Sequence, residues 1–190
     1  MRGGREPVEA AGDDSSRLLL DTAEADALAD AGRAVDAIQL LEPAVRVARE
    51  RADTPGLALG HALTTLAGAY TAAGRHADAL AVADEALAVI GRAEAAVDRA
   101  RPHITIALSS LGLGDLARAE AAYAVAVEIA QTREERGNEG WAHFAGGLIA
   151  LECGNRAAAE QRLDEAQEIA EELGMMRLVE RCRAALRRAR

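Results

Sequence analysis

Gly114-Asp115-Leu116-Ala117-Arg118-Ala119-Glu120-Ala121-Ala122-Tyr123-Ala124-Val125-Ala126 holds a glycine, an alanine five residues on (Ala119) and another seven further (Ala126). The same spacing recurs outward in both directions. Gly74 is followed by Ala79 and Ala86, Gly32 by Ala37 and Ala44, and Gly154 by Ala159 and Ala166. The glycines lie 42, 40 and 40 residues apart. A fixed period of this length marks stacked helical repeats, in which each unit buries its apolar face against the next.

Composition points the same way. About a quarter of the residues are Ala and only 2% are aromatic, which favours helix and leaves little of the β-branched and aromatic content of sheets. Each glycine ends a helix where the chain needs a left-handed conformation, and the next helix starts within a few residues, so the two lie antiparallel. The reading is an all-α chain with helices at about Arg17–Ala31 and Ala34–Arg51, Leu57–Ala73 and His76–Ile90, Asp98–Leu113 and Leu116–Thr132, and Glu139–Cys153 and Ala157–Leu173. A ninth helix at about 176–188 caps the array. The repeats run about 17–56, 57–97, 98–137 and 138–174 within one domain, 15–190. Residues 1–14, with little to bury, are expected to be disordered. Asp53-Thr54-Pro55-Gly56, Gly91 and Gly137-Asn138 mark turns between pairs. Pro43 falls inside the second helix and predicts a late start or a kink. Pro102 either opens its helix or breaks a longer one beginning near Arg92.

The net charge of −9 at a pI near 5.0 disfavours a nucleic-acid or anionic-membrane partner. Every basic residue is Arg. Cys153 and Cys182 are too few for a disulfide framework or a zinc cage and read as reduced thiols in a cytoplasmic protein. No apolar run approaches a membrane span, and the N-terminus lacks the apolar core of a signal peptide.

The glycine–alanine spacing resembles the tetratricopeptide repeat (TPR) over roughly residues 17–173. That family also places a small residue seven before the glycine, here Ala25, Ala67, Ala107 and Gly147. Eight before, it places a large apolar residue; Leu66 and Ile106 fit, Glu24 and Gly146 depart. Four before, it places a tyrosine-like residue, matched by Tyr70 only. The period exceeds the family's usual length of about 34 residues and also suits HEAT-type repeats. Together with Glu172-Leu173-Gly174-Met175, it resembles the long-repeat arrays in the sensor regions of bacterial transcription regulators.

The TPR resemblance implies a right-handed superhelical solenoid of four helix pairs plus the capping helix. It also implies a non-enzymatic scaffold that grips a protein or peptide in a concave groove lined by the first helix of each pair. The residues implied there include His61, Thr64 and Thr65 of repeat two, Arg101, Thr105 and Leu108 of repeat three, and Trp141, Phe144 and Leu148 of repeat four. Trp141, Phe144 and Leu148 are the apolar anchors, unless Trp141 and Phe144 pack beneath the final helix instead. A chaperone-tail carboxylate clamp is not expected, because the chain has no Lys. The second resemblance implies a regulatory, effector-sensing module.

No catalytic, cofactor or metal site emerges. His103 and His143 occupy the same place 40 residues apart but lack a third ligand, and no metal or phosphate motif is present. Gly112-Leu113-Gly114-Asp115-Leu116-Ala117 mimics a dinucleotide turn, yet the repeat period accounts for Gly114. Arg177, Arg181, Arg183, Arg187, Arg188 and Arg190 make a basic C-terminal end, which complements the dipole of its helix; a contact surface for an acidic partner is the secondary reading. Self-association through the solenoid ends stays open.

Overall fold

A computed structural model describes residues 6–51, 54, 56–92 and 99–189, with side chains from residue 15 onward. Among these residues there are nine helices: α1 (Glu6–Asp30), α2 (Ala34–Glu50), α3 (Gly56–Ala72), α4 (His76–Arg92), α5 (Ala100–Gly112), α6 (Leu116–Thr132), α7 (Arg136–Glu152), α8 (Arg156–Glu172) and α9 (Met176–Ala189). They fall into two compact units, Met1–Val97 and Asp98–Arg190. In the first, α3 packs against both α2 and α1. In the second, α7 packs against α6 and α5, and α9 against α8 and α7.

The turn glycines behave as their spacing requires. Gly32, Gly74, Gly114 and Gly154 have φ of 79°, 75°, 79° and 72°, a region L-residues enter at a cost. Each closes a Schellman turn. At Gly114, for example, the glycine N–H donates to the Leu111 carbonyl at 3.0 Å and the Asp115 N–H to Ser110 at 2.9 Å. Asp115 and Asn155 then cap the following helices by accepting from the backbone N–H of Arg118 and Ala158.

Two further turns have the same form. Gly174, at φ 68°, leads into α9, and Glu134, at φ 57°, joins α6 to α7. Residues 114, 134, 154 and 174 thus divide the second unit at intervals of 20 residues. This corrects the expectation that Gly137-Asn138 marks a turn between pairs, since both residues lie inside α7. Gly91 likewise lies within α4.

The prolines resolve without shortening any helix at its start. α2 begins at Ala34 and carries Pro43 in its interior. Pro102 sits in the first turn of α5, where a missing N–H costs nothing. Residues 6–14 belong to α1. The expectation of disorder for residues 1–5, and the turn residues Asp53 and Pro55, lie outside the described residues.

Small residues at the helix crossings let the pairs close. Ala37, Ala79, Ala119 and Ala159 are fully buried, as are Ala86, Ala126 and Ala166. At Gly147, seven before the turn glycine, a Cβ would come 2.5 Å from Leu163 Cγ, so only glycine permits that approach. The first helices of the pairs, α3, α5 and α7, are buried on most sides. The second helices keep one exposed face, as amphipathic helices do.

Repeat four departs from the family pattern for a visible reason. Gly146 stands where a large apolar residue is expected, and the ring of Tyr123, from α6, fills the space. Arg162 covers that ring at 4.5 Å and donates to the Gly146 carbonyl at 3.0 Å while pairing with Glu120. The missing side chain is replaced from a neighbouring helix.

Candidate functional site

Carrying the 40-residue step forward from Arg101 reaches Trp141 and then Arg181. These are equivalent places on α5, α7 and α9, the helices that stack one on the next in the second unit. The same step links Ile104 to Phe144, Leu108 to Leu148 and Leu111 to Leu151. One helix face therefore repeats on α5 and α7, and Arg181 continues its first position onto α9.

Within that row the residues differ in depth. Ile104, Thr105 and Phe144 are buried, whereas Leu108, Leu111, Trp141, Leu148 and Leu151 are partly open and Arg101 is exposed. Phe144 joins a buried cluster with Leu163, Leu178, Val179 and Cys182, so of the two aromatic anchors it is the one that packs beneath the final helix. Trp141 lies at the margin of that cluster and also against Ile104, Ala126 and Ala142. Its ring meets Phe144 edge to face, at 5.9 Å and 88°, a favoured aromatic arrangement.

Arg181 rests over both rings, its guanidinium carbon 5.2 Å from the Trp141 centroid and 4.8 Å from that of Phe144. Although the residue as a whole is exposed, contact with the rings strips water from the guanidinium. This desolvation, aided by the nearby Arg177 charge, lowers its pKa from the ordinary arginine value. Among the described residues no carboxylate pairs with it. By contrast, Arg183 pairs with Glu171 at 2.8 Å and Arg188 with Glu152 at 3.5 Å. Sequence reasoning placed Arg181 in a basic cap; the 40-residue step from Trp141 was the signal that assigns it to the row.

In the first unit the positions implied by the resemblance are mostly engaged by the fold. Thr64 is buried and its hydroxyl donates to the Gly60 carbonyl at 2.8 Å. Thr65 is buried and donates to Asp26 of α1 at 3.2 Å. His61 is exposed. These three residues and the α5–α7–α9 row lie in different units.

His143 sits just behind the row on α7 and is 9% exposed. Its Nδ1 faces Glu165 Oε2 at 3.2 Å, off the line of a hydrogen bond, and its Nε2 lies 3.9 Å from Glu139. Among the described residues no three His, Cys, Asp or Glu side chains are arranged to hold a metal ion, and no helix is long and apolar enough to cross a membrane.

No protein-family model and no curated protein matches the sequence. Among solved structures, the chain is similar to the nearly identical TPR-like repeats of a candidate kinesin light chain from Podosopora anserina. The likeness has a TM-score of 0.55 at 18% identity, over 90% of this chain and 95% of that one. A point-substituted form of the same protein gives a TM-score of 0.56 at 17% identity over the same shares. At such identity the likeness speaks for fold alone, and the fold is that of TPR-like helical repeats.

Proposed function

We propose that the chain is a non-enzymatic scaffold that binds a protein or peptide on the α5–α7–α9 face of its second unit. One observation carries this reading. Trp141, Leu108 and Leu148 stay partly open in a row that the repeat places on successive helices, and Trp is prominent among the residues that anchor interfaces. The TPR-like fold supports it, because helices stacked at a fixed step present a continuous binding strip. The acidic balance fits a cytoplasmic protein that avoids nucleic acid. Trp141→Ala combined with Leu148→Ala is expected to weaken a selected binder at least about tenfold. Circular dichroism checks that the helices persist. Undiminished affinity in a folded double variant moves the site elsewhere.

A second reading, an effector-sensing module, draws on a groove of about 500 Å³ between α1 and α2, within the size range of small-molecule sites. Leu18, Leu40, Pro43, Ala44 and Val47 line it. Pro43, in the interior of α2, has no N–H to donate to the Gln39 carbonyl one turn back. A compound seated there raises the melting temperature of the native chain but not of Ala44→Phe, which fills the groove. A metabolite screen in which no compound does so removes this reading.

A further inference from the structure

The row ends on a cation that has no counter-ion among the described residues. α9 carries Arg177, Arg181, Arg183, Arg187 and Arg188 against the single acid Glu180. Arg183 and Arg188 are met by carboxylates of α8 and α7. Arg181 is held instead by the faces of Trp141 and Phe144. Ring faces attract the charge but accept no conventional hydrogen bond, so the guanidinium keeps its N–H donors. A planar, weakly hydrated cation already fixed on a rigid aromatic pair has lost little freedom still to lose, and its fork matches a carboxylate in two parallel hydrogen bonds.

We propose that the Trp141–Arg181 end of the row binds an acidic–apolar peptide segment. An Asp or Glu side chain pairs with the Arg181 guanidinium, and an adjacent large apolar side chain lies against Trp141 and Leu148. The proposal rests on the peptide-binding reading of the same face and specifies the partner's chemistry. Charge complementarity selects the occupant. The chain's net charge of −9 repels a long polyanion such as nucleic acid. A short segment bearing one or two carboxylates meets mainly the local cations of α9, because more distant charges are screened within about 10 Å.

Trp141 is the only tryptophan in the chain, so its fluorescence reports occupancy directly. The test selects binders to the full chain from a random dodecapeptide display library, then titrates the synthetic peptides while following Trp141 emission. Selected sequences are expected to place Asp or Glu beside Leu, Ile, Met, Phe or Trp. Replacing that acid by its amide weakens binding about tenfold or more at low salt, and added salt narrows the difference. Arg181→Gln causes the same loss, and the two losses do not add. Arg181→Lys retains part of the affinity.

Selected peptides that shift Trp141 emission equally well as acids and as amides, or that bind Arg181→Gln unchanged, overturn the carboxylate assignment and leave the peptide-binding face standing. A library that yields no binder to this face overturns both. Tighter binding of a poly-dT single strand than of any selected peptide overturns the choice of partner. Should Arg181→Gln unfold, the acid-to-amide comparison on the native chain decides alone.

Discussion

Tyr123 occupies the space that Gly146 leaves: a Cβ built at residue 146 falls 2.5 Å from Tyr123 Cε2 and 2.7 Å from Cζ. The two positions have exchanged roles, with bulk moved from α7 to α6. Gly146→Ala would gain about 1 kcal/mol of helix propensity, yet it drives a methyl into a ring that Arg162 also covers. Overpacking of this kind costs about 1–3 kcal/mol, so the net expectation is a loss. Gly146→Leu, which restores the repeat pattern, loses more. Coupled to Tyr123→Ala, the penalty shrinks by about 1 kcal/mol or more. Urea unfolding of the four-member cycle measures this, and a stabilised Gly146→Leu single variant contradicts it.

Glu134 provides the complementary case. It turns the chain at φ 57° in the place where Gly114, Gly154 and Gly174 stand in the neighbouring turns. A left-handed conformation costs a residue with a side chain about 1–2 kcal/mol. Glycine returns part of that gain through its freer unfolded state. Glu134 is exposed and loses no packing, so Glu134→Gly is expected to stabilise the second unit by about 0.5–1 kcal/mol. A lower melting temperature for the variant runs against this.

The residues that made the fold legible are those whose role is local. A turn glycine needs φ above zero wherever it sits, and an alanine at a crossing needs only to be small. Both requirements therefore survive in the sequence at fixed spacing. Gly137 and Glu134 show the limit. Glycine is permitted but not required in a helix, and Glu134 is held left-handed by a turn that the helices on either side close, so residue type misplaced the turn by a few positions. The candidate site was half legible. The TPR resemblance, with Gly154 as the turn of repeat four, points to Trp141 and Leu148. It did not separate Phe144, which α8 and α9 bury, because burial from a neighbouring helix leaves no mark on the residue's own spacing. Arg181 sat beyond the last glycine counted, where the period has to be continued instead of observed.

The two thiols are expected to differ in reactivity. Cys153 is exposed in a turn, whereas Cys182 is buried on the inner face of α9 and burial pushes its pKa up to about 11. The thiolate is the reactive form, so brief treatment with Ellman's reagent at neutral pH should label Cys153 alone in the folded protein and both thiols in urea. Rapid labelling of both without denaturant would mean that α9 opens readily, and Cys153→Ser would show it as a residual native signal.

The first unit should weaken at alkaline pH through Tyr70. Its ring is buried, its hydroxyl donates to Glu42 Oε1 at 2.6 Å, and Arg75 covers the ring at 4.3 Å. Burial above all, then the hydrogen bond to Glu42, raises its pKa from 10.0 to about 12. Folding therefore favours the protonated phenol. Its stabilising contribution is complete below pH ~10, where the unfolded chain also keeps the proton, and is lost as pH rises from there through the folded-state value near 12. Glu42 and Arg75 stand in solvent, whose screening trims the effect, and the loss across that window is on the order of 1–2 kcal/mol. Tyr70→Phe lacks the titrating group and should begin less stable, since it leaves Glu42 without its donor, but should lose less between pH 9 and 12. Urea unfolding of the two proteins at intervals across that range measures the converging difference, and parallel losses would place the alkaline sensitivity in some other group.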